Sequence, residues 1–544
     1  MLLFLALISL CLSSEDKKGK CPQAEDVTMS NLDYHSTRDF TSSINAKNVH
    51  KVHLDWNITL CGSSISPPSV VNGKVWSGDF GGCLTTVRIG DGAIVNQKNV
   101  SADFGLPNKI YARVTITHDV KNDLAITVTN GIIGNRTGYG TWVIAMRESN
   151  MSEVWKSKIS DSLWMVATAS PHIKDGYAYI YLSSSESGSP LGGFQCCEST
   201  GRVLKLRMLD GAVIWETPMF PPELAGPGLY SGVMIWGTPF IAKKHIFVPT
   251  GQMYDVPASV LACANATIPS NYSSCLDKKI LFDSIVKIDT ETGLIVASAK
   301  TVDIDAWNVD CFLGRIQCPK GIPNSDYDAS GIVYSKDQDL IFAYNKAGAV
   351  FIFDFDLNEQ HKIIFNNTGS IFGGFIGSAA LRDHKDRNKM RLVLANTNGN
   401  YNAWVLPNGT TIYSGGWITL DGYLNVKWVT PVPGVGLTPQ TLGKVPGDIA
   451  YGGMTITNDL VFAFSRNGGV LTFMNLELGN IVWEIPTGSS QSGTCTPYGN
   501  AIICPTGPGG NPFAGGPTAP GPVNVATSPQ RTLINAWYLL KWEL

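Results

Sequence analysis

The chain has 544 residues, of which 16% are charged, and a formal net charge of −3. With no long basic or acidic run, nucleic acid and anionic membrane surfaces are excluded as expected partners. Its 56 glycines and 30 prolines, set among short Val/Ile/Tyr/Trp-rich segments, point to an all-β chain dense in turns.

At the N-terminus an apolar run, Leu2 to Leu12, is followed by Ser13 and Ser14. That run is shorter than the ~20 residues a bilayer span needs and sits where a secretory h-region sits, although it lacks a basic flank. The expected division is a signal peptide over 1–14, an extension over 15–32 and a single propeller domain over 33–544, with no later segment apolar enough to span a membrane. The 12 cysteines fit an exported chain. With Cys11 leaving in the signal peptide, pairing of near neighbours predicts Cys61–Cys83, Cys196–Cys197, Cys263–Cys275, Cys311–Cys318 and Cys495–Cys504, with Cys21 left over. For the adjacent Cys196 and Cys197, separate partners or buried thiols stay open. Asn-x-Ser/Thr sequons at Asn57, Asn99, Asn135, Asn150, Asn265, Asn271, Asn366 and Asn408 also fit a secretory route and predict a glycoprotein.

From about residue 50 a weak repeat organises the chain. Its clearest copies are "GRVLKLRMLDGAVIWE" (201–216), "DSIVKIDTETGLIVAS" (283–298), "GGWITLDGYLNVKW" (415–428) and "GGVLTFMNLELGNIVWE" (468–484). Each reads as two antiparallel strands about a tight Asp/Gly turn, the second usually ending in Trp. Gly211 and Gly479 serve those turns, and Trp215 and Trp483 are expected to pack between neighbouring sheets. Looser copies start near Cys83, Thr141 and Gly348, and "INAWYLLKWEL" supplies another at the C-terminus. The starts lie about 50–80 residues apart, above the ~40–50 of common propeller repeats, which implies long loops. Segments between the copies supply two more strands each. The expectation is an eight-bladed β-propeller of four-stranded antiparallel blades, with "VHLDWNI" (52–58) closing the ring against the C-terminal blade. The Pro/Gly-rich stretch 506–524 reads as a long loop over one face.

In such a ring the entrances of the innermost strands line one funnel. These are Arg113, Thr168, Ser170, Trp236, Asp326, Asp328, Lys346, Ser378 and Tyr451. Asp326 and Asp328 read equally well as turn residues, and Trp236 and Trp307 as packing residues.

Motifs in chain order then resemble a known family. They include "DFGG" (79–82), "YAR" (111–113), "ATASP" (167–171), "SSSE" (183–186), "CCESTGRV" (196–203), "PTGQMYDVP" (249–257), "DAWNVDC" (305–311) and "NKAG" (345–348). The family is the quinoprotein alcohol dehydrogenases, in the polyvinyl-alcohol-dehydrogenase-like branch. The resemblance implies pyrroloquinoline quinone (PQQ), and usually Ca²⁺, on the propeller axis. It implies that Cys196 and Cys197 form a disulfide platform beneath the quinone, with an aromatic ring such as Trp236 opposite. It also implies that Arg113, Thr168 and Ser170 hold the cofactor's carboxylates and that Lys346 bonds the quinone oxygens.

Oxidising an alcohol requires a base for the hydroxyl proton, a cation polarising the quinone and a rigid slot. Calcium takes six to eight hard oxygen ligands. The implied metal ligands are Glu186, Gln252 at an asparagine position of the family, and Asn308 in "AWN", where many members carry a catalytic aspartate. An amide is no base, so Asp305 and Asp310 are the candidate bases beside Lys346, although strand alternation separates neighbouring side chains. Arg202 is displaced from the arginine expected shortly after the cysteine pair.

Two functions follow. One is a secreted PQQ-dependent oxidoreductase acting on an alcohol or polyol, including polymeric ones. With no C-x-x-C-H haem motif in the sequence, it would use an external electron acceptor. The other is a non-catalytic secreted propeller that binds a glycan or protein in its funnel.

Overall fold

The computed structural model describes residues 25–541 except 63, 108–109, 112–113, 132–139, 163, 189–195, 267–272, 314–330, 366–372, 400, 407, 438–443, 466–468, 487–492 and 506–535. Arg113, Asp326, Asp328, Cys21, Cys318, the expected signal peptide and the sequons at Asn135, Asn271 and Asn366 lie outside the described residues. Among the described residues no helix is long and apolar enough to cross a membrane.

Antiparallel sheets follow one another along 69–99, 110–160, 165–218, 240–300, 331–364, 380–431 and 455–486. One further sheet joins the two ends of the chain. In it His53–Thr59 pairs with Ala536–Lys541, which continues to Ala501–Pro505 and Thr496–Tyr498. Seven sheets of the eight expected thus come from contiguous chain, and the segment foreseen as the closing strand lies in the sheet shared by both ends. Apolar clusters bridge each sheet to the next, including Val70, Val75 and Val87 against Ala501 and Ile503, and Phe462 and Phe473 against Ile502. The sheets therefore form a closed ring, an all-β propeller.

Exposure rises from the inner strands of the sheets to the outer ones. Ser69–Val71 is buried throughout, whereas Glu359–Ile364 is almost wholly exposed. The repeat's tryptophan and glycine meet between sheets. Trp155 donates its indole N–H to Met208 O, and Trp428 donates to Leu476 O. A Cβ on Gly211 would lie within 2.8 Å of the Trp155 ring, and one on Gly479 within 2.8 Å of Trp428. Both glycines hold positive φ, 71° and 72°, so the position needs glycine for turn and contact together. The glycine of one copy therefore receives the tryptophan of the preceding sheet rather than its own.

A segment with no repeat signature crosses the axis. Val27 exchanges backbone hydrogen bonds with Val70, and Thr28 O accepts from His118 N. The Tyr34 hydroxyl donates to Ile173 O, while Tyr34 O accepts from Ile241 N. His35 O, Thr37 O and Arg38 O accept from Tyr334, Leu381 and Ile456, and Ser43 N donates to Gly499 O. This strap, residues 27–43, touches the inner edge of every sheet and so occupies one end of the axis.

Four of the expected disulfides are present: Cys61–Cys83, Cys196–Cys197, Cys263–Cys275 and Cys495–Cys504. Cys311 is disulfide-bonded as well. Cys61–Cys83 ties the end of the closing strand to the first sheet, where Gly62 and Gly81 pack backbone against backbone. Asn57, Asn150, Asn265 and Asn408 are exposed, whereas Asn99 is part-buried and its side-chain Oδ1 accepts from Ser101 N and Ala102 N.

Candidate active site

The end of the axis opposite the strap gathers two sets of residues. One set precedes the first strands, and the other follows the second strands. Second strands end at Gly78, Ser184, Pro249, Tyr344, Asn396 and Phe464, so Glu186, Gln252, Lys346 and Thr397 all arrive at this end.

The cysteine pair lies here, bonded across a cis peptide with α-carbons 3.1 Å apart, closer than the ~3.8 Å of the trans link. Both cysteines are buried and cluster with Met234 and Tyr254, with half-buried Trp236 packed alongside. Tyr254 organises the group. Its hydroxyl accepts from Trp236 Nε1 at 3.1 Å and donates to Ser184 O at 2.9 Å, and its carbonyl accepts from Asn308 Nδ2 at 3.0 Å. The backbone beneath is tight: a Cβ on Gly232, at φ 95°, would stand 2.5 Å from Tyr254 N.

Glu186 is 2% exposed and holds the loop that carries the disulfide. Its carboxylate accepts from Glu198 N at 2.9 Å, from Ser199 N at 2.8 Å and from the Ser199 hydroxyl. Burial pushes its pKa up against the pull of these donors. Three of roughly four acceptor positions are thereby used.

Gln252 donates Nε2–H to Trp307 O at 3.3 Å, while its Oε1 is buried without a hydrogen-bond partner. Beside it Asp305, Asn308 and Asp310 are all buried, with Asp305 O accepting from Met253 N. The strand geometry expected around Asn308 is absent. Only an isolated bridge forms at Ala306, and a short helix, Val309–Leu313, begins directly after Asn308. Alternation therefore does not separate these side chains, and Asn308 Oδ1 accepts from Asp310 N at 2.9 Å. The Asn308 amide thus serves the backbone at both ends. Among the described residues the one cluster of three potential His/Cys/Asp/Glu ligands is Cys61, Asp79 and Cys83, whose sulfurs are joined in a disulfide. Glu186, Asp305 and Asp310 make no such cluster.

On the neighbouring sheets, Thr168 Oγ1 donates to Ile235 O at 3.0 Å and Ser170 Oγ accepts from Thr115 N at 3.1 Å, so both hydroxyls staple adjacent strand entrances. Ser378 Oγ lies 3.1 Å from Thr238 Oγ1. Lys346 is buried, and its carbonyl backs onto Gly374, whose own carbonyl accepts from Thr397 N. Next to it stands a residue the sequence reading passed over. Asn396 is fully buried, and neither its amide nitrogen nor its amide oxygen has a partner; the Thr397 hydroxyl is equally unpaired. No motif marks Asn396, and Tyr254 lies inside "PTGQMYDVP" without a role assigned to it. Asp255 follows Tyr254, and burial raises its carboxyl to about 6.

This arrangement offers a buried sulfur platform beside aromatic rings, buried amides lacking partners, a buried lysine and buried carboxylates. Asn396 Nδ2 offers an unmet donor to a carbonyl group of a flat polar ligand, and Gln252 Oε1 an unmet acceptor suited to a donor group or a hard cation.

The fold and these residues define an all-β propeller with a buried vicinal disulfide and unpaired amide atoms at one end of its axis. No family model matches the chain. In sequence it is similar to the polyvinylalcohol dehydrogenase of Sphingopyxis sp. (strain 113P3), 23% identical over 372 residues, covering 64% of this chain and 51% of that protein. It is also similar to the polyvinylalcohol dehydrogenase of Pseudomonas sp., 21% identical over 352 residues, covering 61% and 49%. The chain thus spans about half the length of the relatives it matches. In fold it is similar to the quinohemoprotein alcohol dehydrogenase from Comamonas testosteroni, with TM-score 0.64, 14% identity and coverage of 95% and 80%. A europium-containing methanol dehydrogenase gives TM-score 0.62 at 14% identity, covering 95% and 98%. The resemblance read from the sequence motifs is thus met by relatives of that same kind.

Proposed function

We propose that this chain is a secreted PQQ-dependent alcohol oxidoreductase built on an eight-bladed ring, the eighth blade being the sheet shared by the chain ends. The observation that carries this reading is the buried Cys196–Cys197 disulfide bedded on Tyr254 beside Trp236 at the open end of the axis. Gln252, Lys346 and Asn396 would meet the quinone or its cation through polar atoms, with Thr168 and Ser170 at its rim. When bound, PQQ supplies the two-electron acceptor that no amino-acid side chain provides. A hard cation such as Ca²⁺ would find its unmet oxygen donor in Gln252 Oε1, whereas Glu186, Asp305 and Asp310 do not converge as a ligand set.

The proton of the alcohol needs a carboxylate base. Asn308 is excluded by its chemistry and by its two backbone bonds, which leaves Asp305 or Asp310. Glu186 acts chiefly as the holder of the disulfide loop. The substrate is an alcohol or polyol, with polymeric alcohols first to be tried because both sequence relatives named are polyvinylalcohol dehydrogenases. Electrons pass to an external acceptor. The bonded disulfides, with no membrane-spanning helix among the described residues, support an extracellular setting.

The full use of Asn308, and near-full use of Glu186, favours a second reading, a propeller that binds a glycan or protein without catalysis. Titration of the Ca²⁺-loaded protein with PQQ, followed by alcohols and a dye acceptor, separates the two. Saturable binding lost in Lys346→Ala, with dye reduction lost in Asp305→Asn or Asp310→Asn, supports the enzyme. Absence of binding at high micromolar PQQ leaves the binding propeller.

A further inference from the structure

We propose that Arg38, carried on the axial strap, is the electrostatic floor of the funnel: its buried charge attracts and holds a carboxylate-bearing ligand at the opposite end of the axis. This rests on the quinone reading above, since PQQ is a polycarboxylate.

Arg38 is 1% exposed, and all its guanidinium N–H groups are used. Nε donates to Met454 O at 2.7 Å; Nη1 donates to Ser30 O at 2.9 Å and Asn31 Oδ1 at 3.2 Å; Nη2 donates to Thr455 Oγ1 at 2.9 Å and Cys495 O at 3.3 Å. Every acceptor is neutral, and among the described residues no carboxylate pairs with the group. Burial lowers the guanidinium pKa to about 10, so the charge persists at neutral pH.

An uncompensated buried cation is costly, and carbonyls alone do not require one. Its position gives the charge a use. Met454 and Cys495 directly precede the inner strands Thr455–Thr457 and Thr496–Tyr498, at the funnel end of those strands. Met454 N donates to Ser378 O, and Ser378 Oγ meets Thr238 Oγ1 two residues beyond Trp236. The guanidinium therefore reaches from the strap to the layer directly beneath the site. Low-dielectric surroundings leave its field little screened by water or salt.

The test uses the full, Ca²⁺-loaded protein and two variants, with PQQ binding read by tryptophan fluorescence and apo-protein unfolding read by heat. Asn31→Asp places a carboxylate where Asn31 Oδ1 already accepts from Arg38, which neutralises the charge and keeps every bond. Arg38→Lys keeps the charge and loses the fork. The expectation is that Asn31→Asp holds the unfolding midpoint but weakens PQQ binding roughly tenfold or more, the loss of one unit charge's attraction through protein, while Arg38→Lys lowers the midpoint and stays within about threefold in affinity. Folded Asn31→Asp protein that binds like wild type overturns the inference. So does folded Arg38→Lys protein as weak as Asn31→Asp. If wild type ignores PQQ, the quinone reading fails separately, and trimesate becomes the probe. Trimesate binding to wild type but not to Asn31→Asp keeps the charged floor, and equal binding to both removes it.

Discussion

The two ends of the propeller axis treat buried polar groups in opposite ways. At the strap end Arg38 uses all its donors, Asn458 Nδ2 donates to Ser42 O at 2.7 Å and Ile44 O at 2.6 Å, and Arg382 forks onto Asp39, while buried His118 Nδ1 and Glu148 Oε2 meet as an ion pair at 3.6 Å rather than through a hydrogen bond. At the open end Gln252 Oε1, both amide atoms of Asn396 and the Thr397 hydroxyl are buried without partners. An unmet buried polar group costs about 1–3 kcal/mol. The ring thus concentrates satisfied bonds where it is closed and leaves capacity where a ligand is expected, the pattern of a site whose polar groups are completed by what it binds.

The largest effect should come from breaking the paired end. Arg38→Met leaves Met454 O, Ser30 O and Cys495 O without their donor, at a cost of roughly 3–5 kcal/mol. Denaturant unfolding measures it. A loss under ~1 kcal/mol would mean that the strap is not a principal support of the ring.

Next comes a pH effect at the same end. His172 is fully buried, meets Tyr181 OH through Nδ1 at 2.7 Å, and burial pushes its pKa down to about 4. The unfolded chain takes up this proton near pH 6.5, and the folded one only near 4. Stability from this group is therefore complete above about 6.5 and falls by about 3 kcal/mol as pH drops to 4. Asp79 works the other way over much of that range. Burial raises its carboxyl to about 6, so the folded state binds the proton first and gains stability as pH falls. Wild type should show a shallow profile. His172→Gln removes only the histidine contribution, so its stability relative to wild type should rise as pH falls from 6.5 to 4, and an unchanged difference across that range would contradict the assignment.

How much of each end was legible follows from what periodicity records. The repeat was readable because Gly211 and Gly479 each precede the tryptophan of their own copy, Trp215 and Trp483, by four residues, a local signal, although each glycine packs against the tryptophan of the preceding sheet. The closing strand was readable because "VHLDWNI" is half a repeat. The strap was not: it bonds through its backbone, and its turns at Leu32, Ser36 and Arg38 take positive φ without glycine. At the site, the cysteine pair declares itself by adjacency. Asn396 does not, because a lone asparagine at a strand end carries no signal until the second strands converge. Asn308 was misjudged geometrically, since the helix after it is too short to leave a period.

The smallest effect is also the one that isolates the comparison, because its sign is reversed. Asn396→Leu replaces an amide with unmet donors and acceptors by an apolar side chain of similar size. At the strap end, removing a polar group destabilises; here it should stabilise the ligand-free protein by about 1 kcal/mol, seen as a higher unfolding midpoint. The same change should weaken PQQ binding at least tenfold, the loss of one hydrogen bond of about 1.4 kcal/mol. Stability gained together with affinity lost identifies Asn396 as held in reserve for a ligand. Stability lost instead means that the amide supports the fold, and the contrast between the two ends then rests on Gln252 Oε1 and the Thr397 hydroxyl.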